Sequence, residues 1–345
     1  MIQTLKSRVL EHWDDIAPGV SKPKDLSYML QGSQSYRAPY TKVIVLFFRP
    51  GDDSPVVVGK VPDDPQFAGI VEREYEHIKR MHDGPYPDAL KNAIPRPIAL
   101  EQIGKDIVLL ETAIVGESMS LQLLRNARDE QYMREAFEDA LAWLTLMQND
   151  ELKGEAGAAQ ATAVVEETLG YYRELYSPEG DEKQVLEDAW AVVKPLIGAG
   201  LPVVPVHGDF WVNNIFRRER QVVGVLDWEF ARPASIPVWD LFQFEFSMGI
   251  AANPKIELRG IFLTAFFRDG SLKQGFRKAT RAYCKAQSMD YDPKVIEALF
   301  VLWLADRAVN ERYLFGRSYE TDMLRHDNMS LYLENRKPNW GTFAD

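Results

Sequence analysis

Residues 203–230 read VVPVHGDFWVNNIFRRERQVVGVLDWEF, and this stretch decides how the rest of the chain is read. Val203, Val204 and Val206 make a short β-rich run leading into His207-Gly208-Asp209. A polar turn follows at Arg217–Gln221, then a second apolar strand, Val222 to Leu226, ending at Asp227-Trp228-Glu229. Each strand carries an aspartate at one end, and Asn214 lies five residues after Asp209. Oxygens from Asn214 and Asp227 on neighbouring strand ends suit a hard divalent cation, because Mg²⁺ takes a few protein oxygens plus phosphate and water. Asp209 is then left to accept a proton from a nucleophile. Phosphoryl transfer needs that division of labour, with phosphates held by metal and a base that orients the attacking hydroxyl. A lone aspartate beside a hairpin would read as a turn cap. H-G-D-x-x-x-x-N followed by an apolar strand and Asp-Trp is too particular for that reading alone.

Working outward, Ile2, Leu5, Val9, Trp13 and Ile16 recur at helical spacing and predict an amphipathic helix ending near Pro18-Gly19. From Leu26 the period becomes two. Thr41–Phe48 and Pro55–Val61 read as a hairpin about the turn Pro50-Gly51-Asp52-Asp53. Asp64-Pro65 is an N-cap and first-turn pair for a helix running to about Met81. Further strands are expected over Ile98–Gln102 and Asp106–Glu111. Beyond Gly116 the pattern turns helical. Tyr132, Met133, Ala136, Phe137, Ala140, Leu141 and Leu144 form one stripe, and more helices are expected over 164–176, 183–197, 261–267, 277–287 and 295–315. The chain thus divides into a β-rich part with one long helix, 1–112, and a larger, mainly helical part, 113–345, in which 203–230 is a β-rich island. The class is α+β.

Composition removes several alternatives. The 345 residues are 46% hydrophobic and 26% charged, as in a soluble enzyme of two domains or lobes. Lys and Arg number 40 against 51 Asp and Glu, a net charge of −11, which disfavours nucleic acid as a partner because phosphate neutralisation needs a basic face. The single Cys284 excludes a disulfide framework and most thiolate metal sites. His12, His77, His82, His207 and His326 show no metal-binding spacing, so a metal would be held by oxygen. No apolar run approaches the ~20 residues of a membrane span. Arg8, Glu11, Asp14 and Asp15 come too early for a signal peptide. A cytoplasmic protein without a membrane partner is expected; oligomeric state is left open.

His207, Asp209, Asn214 and Asp227 resemble the catalytic and metal-binding segments of the aminoglycoside phosphotransferase and choline kinase-like family. The resemblance implies a bilobal protein-kinase-like fold and transfer of a phosphoryl group from ATP or GTP, with Mg²⁺, to a hydroxyl of a small molecule. It asks for a strand lysine on the phosphates, paired with a helix glutamate. Lys60 lies among valines on the face of Val56 and Val58, and Glu74 falls in the apolar stripe Phe67, Val71, Ile78, Met81, where a buried lysine's partner belongs. The implied phosphate-covering loop is Gln31–Tyr36, with Gly32, Ser33 and Ser35 offering donors. By similarity, the carbonyl of Glu111 and the N–H of Ala113 would bind the adenine edge. His207 would be structural, bonding backbone near the metal aspartate, and Asp240 would tie the catalytic loop to the next helix or serve as a cap.

Departures from the family pattern shape the acceptor. About a dozen residues separate Asp227 from Asp240, too few for the activation segment of a protein kinase, and Gly208 stands where those enzymes carry arginine. A small-molecule acceptor follows. Trp211 and Asn213 replace a histidine and a glycine common in antibiotic kinases, Gln148 replaces a helix-ending histidine, and Glu229 follows Asp-Trp as in the choline kinase-like branch. Trp211, Trp228 and Glu229 are candidate acceptor contacts, with simple packing the alternative for the two tryptophans. The rival functions are a non-catalytic nucleotide-binding pseudokinase and a metal-dependent hydrolase, the latter short of ligands.

Overall fold

The structure, a computed structural model, describes residues 1–32, 41–127, 129–148, 154–315 and 322–344, with side chains described outside 312–327. Contacts divide the chain into two units. Met1–Glu117 with Phe216–Phe230 make most of the first, and Ser118–Ile215 with Ala231–Tyr313 most of the second.

In the first unit, α1 (Ile2–Glu11) and the single turn α2 (Trp13–Ile16) take up the N-terminal apolar spacing, the expected single helix breaking at His12. Strands β1 (Ser27–Gln31), β2 (Lys42–Phe48) and β3 (Val57–Pro62) follow. Helices α3 (Gly69–Asp83) and α4 (Asp88–Lys91) lead to β4 (Pro97–Ile103) and β5 (Asp106–Thr112). The strands form an antiparallel sheet in the order β1-β2-β3-β5-β4.

Alternation gives this sheet two unlike faces. Val45, Phe47, Val57, Val61, Val108 and Leu110 point one way and close on Leu5, Val9 and Trp13, each 4% exposed or less. Residues one step out of phase, among them Lys42, Ile44, Val58, Lys60, Leu109 and Glu111, share the opposite face. Asp64 caps a 3₁₀ turn over Pro65–Phe67, its carboxylate accepting the Gln66 N–H at 3.0 Å, and α3 begins only at Gly69. That helix turns Ile70, Val71, Glu74, Ile78 and Met81 inward.

The next elements are β6 (Glu117–Ser118), α5 (Met119–Arg125), α6 (Glu130–Met147), α7 (Glu155–Tyr176) and α8 (Gly180–Val193). Helix α8 stops short of the expected Ile197 because Pro195 removes a backbone donor and the chain tightens into a 3₁₀ turn. After β7 (Val204–Val206) the chain contributes the hairpin of β8 (Ile215–Arg218) and β9 (Gln221–Val225), then returns as β10 (Arg232–Ser235), antiparallel to β7. Helices α9 (Trp239–Ala252), α10 (Leu258–Phe266), α11 (Ser271–Ala286), α12 (Pro293–Phe315) and α13 (Asp322–Asn335) complete the second unit.

Helix α9 buries twelve of its fourteen residues. Around it, Phe242 packs on Phe300 and Trp303 with ring centroids 5.2 and 5.8 Å apart, and Phe266 on Phe300 at 4.7 Å. Such pairs add about 1 kcal/mol each beyond the area they bury. A helix covered on all sides carries no apolar stripe, so helical spacing does not reveal it in the sequence. Among the described residues, no helix is long and apolar enough to cross a membrane.

Candidate active site

Lys60 leaves the middle of β3 on the face away from α1 and is 3% exposed. A buried ammonium needs a counter-charge. Its Nζ makes a short ion pair with Glu74 of α3 and meets Glu111 of β5 at 3.0 Å and Asp227 Oδ1 at 3.2 Å. Register explains Glu111: Leu109 opposes Lys60, and Glu111, two residues on, lies on the same face. Register also brings in Lys42. Ile44 opposes Lys60, so Lys42 of β2 shares its face, and its Nζ meets Glu229 at 2.9 Å, Glu74 at 3.2 Å and Asp227 Oδ1 at 3.5 Å.

Two ammonium groups therefore face four carboxylates. Burial opposes the charge on Lys42, but Glu229, Glu74 and Asp227 together outweigh it and hold this lysine above the ordinary range. Burial likewise opposes the charge on Glu74, where Lys42 and Lys60 prevail and keep the carboxyl below its usual value. At Glu111 and Glu229 burial prevails instead and pushes each carboxyl up to about 7. Asp227 is the member in reach of solvent, its side chain 37% exposed against 12% or less for the other five. It sits at φ 63°, a left-handed conformation that aspartate tolerates better than most side chains. The Trp228 N–H donates to Glu74 at 3.4 Å, and its indole N–H to the Val225 carbonyl at 2.8 Å.

The oxygens of the cluster are of the kind a hard divalent cation takes. Oxygens of Glu74, Asp227 and Glu229 lie within 4.8 Å of one another. Among the described residues, Glu111 Oε2 and Glu229 Oε2 are buried without a hydrogen-bond donor. Lys42 and Lys60 already stand on this set, and Asp227, its solvent-exposed member, is the oxygen in reach of a divalent cation.

In the second unit the aspartate motif is held mainly by hydrogen bonds, with one arginine beside it. Asp240, in the first turn of α9, is 1% exposed. Its Oδ2 accepts the His207 N–H at 2.8 Å and the Gln148 side-chain amide at 3.1 Å, and Oδ1 accepts the Gly208 N–H at 2.9 Å. The Tyr283 hydroxyl completes the chain by donating to Gln148 at 2.5 Å. Burial pushes the Asp240 carboxyl up to about 7, against the pull of the two backbone donors. Gly208 takes φ 80°, which its missing Cβ allows. The His207 ring is fully enclosed, and its Nδ1 accepts the Asp209 N–H at 3.2 Å. Asp209 keeps 28% of its side chain exposed. Asn214 donates to its Oδ2 at 2.9 Å, and Arg307 of α12 stands 3.6 Å from its Oδ1. The same guanidinium lies over the Trp211 ring at 5.2 Å and donates to Glu311 at 2.6 Å.

The structure brings Lys60 and Glu74 together with Asp227 beside them. It links His207, Asp209, Asn214 and Asp240 in one bonded loop. Gly32 directly follows β1 and is exposed; Ser33 and Ser35 lie outside the described residues. Ala113 requires correction. Its N–H donates to the Val56 carbonyl at 3.1 Å, continuing the β3–β5 ladder, so it is not free for an adenine edge. Trp228 and Glu229 are corrected as acceptor contacts: Trp228 is 1% exposed, and Glu229 turns into the lysine cluster because Lys42 needs a counter-charge. Trp211 stays half-buried, with Arg307 over its ring. Sequence reasoning missed Lys42, the side chain of Glu111, and Arg307. Strand alternation could have found the first two. Nothing local marks Arg307, which reaches Asp209 from 98 positions further along the chain.

Residues 47–275 match the family described as the phosphotransferase enzyme family. No curated protein matches the chain in sequence. Among solved structures, a thermostable mutant of aminoglycoside phosphotransferase APH(4)-Ia in ternary complex with AMP-PNP and hygromycin B is 11% identical with a TM-score of 0.57, the match covering 96% of this chain and 100% of that one. A second such mutant, with ADP and hygromycin B, is 11% identical with a TM-score of 0.55 over 90% and 94% of the two chains. A choline/ethanolamine kinase family protein from Mesorhizobium loti is 14% identical with a TM-score of 0.47 over 98% and 97%. At these identities the first two show a shared fold. The family match runs from β2 to α11 and takes in Lys60, Glu74, Asp209, Asn214, Asp227 and Asp240. On that match the chain belongs to the phosphotransferase enzyme family, as a small-molecule kinase of protein-kinase-like fold.

Proposed function

We propose that the protein transfers the γ-phosphate of ATP or GTP, as the Mg²⁺ complex, to a hydroxyl of a small molecule such as an aminoglycoside, a sugar or an amino alcohol, in the cytoplasm. The observation that carries this reading is the buried Lys60–Glu74 pair with the exposed carboxylate of Asp227 beside it. Lys60, fixed by Glu74 and Glu111, grips phosphate oxygens, and Gly32, exposed just after β1, offers them its N–H. The Glu111 carbonyl faces the adenine. Asn214, whose amide nitrogen bonds Asp209, offers its oxygen with Asp227 to Mg²⁺. When bound, that ion neutralises charge on the phosphates. Asp209 orients the acceptor hydroxyl and takes its proton as the acceptor oxygen bonds phosphorus and the bond to the nucleoside diphosphate breaks. The solved neighbours bound to ADP or AMP-PNP with hygromycin B are consistent with this pairing of ligands.

Calorimetry with ATP, with and without Mg²⁺, tests the metal role. Asp227→Asn should lose most of the gain in affinity that Mg²⁺ gives the wild type, and an unchanged Mg·ATP affinity would exclude Asp227 as a ligand. A screen with radiolabelled ATP over aminoglycosides, sugars and amino alcohols then assigns the acceptor class. Nucleotide binding without labelled product from any class would favour the non-catalytic reading.

A further inference from the structure

Lys42 is a buried cation that the reading above does not use. It precedes the span matched to the family. Lys42 and Lys60 extend from adjacent strands on one face of the sheet, and their ammonium groups approach the same atom, Asp227 Oδ1, at 3.5 and 3.2 Å. Asp227 is the exposed member of the cluster, so both ammonium groups stand behind the point where it opens to solvent. The arrangement is repeated. The two lysines share Glu74, and each has a buried carboxylate of its own, Glu111 at 3.0 Å for Lys60 and Glu229 at 2.9 Å for Lys42.

Electrostatics gives the second lysine a purpose. With Lys60 alone, one ammonium would stand beside four carboxyl groups, and an arriving phosphate chain would meet more repulsion from them than with Lys42 present. An ammonium has three donors. Lys42 directs its closest contacts at Glu229 and Glu74, and its longest, to Asp227, is the one that a phosphate oxygen can take over.

We propose that Lys42 is a second phosphate-binding lysine, which takes an oxygen of the nucleotide's phosphate chain beside Lys60 while Glu229 fixes its ammonium. The inference rests on the nucleotide-binding reading above. The test is calorimetry on the full chain with Mg²⁺ and either ATP or adenosine, for the wild type, Lys42→Met, Lys42→Arg and Glu229→Gln. Lys42→Met should weaken ATP by about tenfold or more, as expected for one lost charge-assisted hydrogen bond, while adenosine, which has no phosphate, changes by less than about twofold. Lys42→Arg should recover most of the loss, and Glu229→Gln should fall between. Equal effects on ATP and adenosine, or none, would make Lys42 a counter-charge only and overturn the proposal. Should Lys42→Met fail to fold, Glu229→Gln decides: a selective loss for ATP supports the proposal and an unchanged ATP-to-adenosine ratio overturns it. A wild type that binds no ATP would overturn the nucleotide reading as well, an outcome distinct from a loss confined to the variants.

Discussion

The lysine cluster of the first unit and the aspartate loop of the second are built by different physics. In the cluster, six charged side chains are packed with little solvent, and each is aimed by an opposite charge. In the loop, Asp209 is positioned through backbone N–H groups, a histidine ring and a glutamine–tyrosine relay, with Asp240 as the anchor. Buried ion pairs carry a desolvation cost and here leave surplus carboxylate, so an incoming charge can rearrange them. Oriented N–H dipoles need no such rearrangement. One region is responsive and the other is set in advance.

The hardest test of that contrast is Asp209→Ala. Turnover should fall by roughly 10²–10⁴-fold while ATP affinity stays within about twofold, measured by steady-state kinetics beside calorimetry. A matching fall in ATP affinity would merge the two regions into one. Next in size is Lys60→Met, which strands Glu111 and leaves Glu74 to Lys42 alone, and should cost about 3–5 kcal/mol in urea unfolding. A loss below about 1 kcal/mol would mean that charge does not hold the cluster. The third concerns the anchor. Burial raises the Asp240 carboxyl to about 7, above its usual aspartate value, so the folded chain keeps a proton that the unfolded chain has released. Its contribution is present at about pH 4 and is lost as pH rises through about 7, a change of a few kcal/mol. Asp240→Asn should flatten that slope, and a wild type and variant with parallel stability profiles would refute the linkage.

Much of this was legible in the sequence where local pattern and chemistry coincide. The spacing of Asp209, Asn214 and Asp227 exposed the motif, and a glutamate inside an apolar helical stripe pointed to Glu74. What stayed hidden depended on register or distance. Lys42 stands at the first position of its strand and looks like a polar boundary until pairing with β3 fixes its face. The sequence resemblance points to the Glu111 backbone, and only the β3–β5 register shows that its side chain meets Lys60. The engagement of the Ala113 N–H by Val56 is hidden because the length of the β3–β5 ladder is not written in composition. Helix α9 escaped notice because burial on every side erases periodicity.

The positive φ at Asp227 also bears on how this position can drift under mutation. Asparagine, glycine and glutamate are each a single nucleotide change from aspartate. The first two accept a left-handed backbone readily, whereas glutamate keeps the charge but fits that conformation poorly. At this codon the replacement that conserves charge strains the backbone, and the two that suit the backbone take a carboxylate away from Lys42 and Lys60, so none of these three changes keeps both the charge and the conformation.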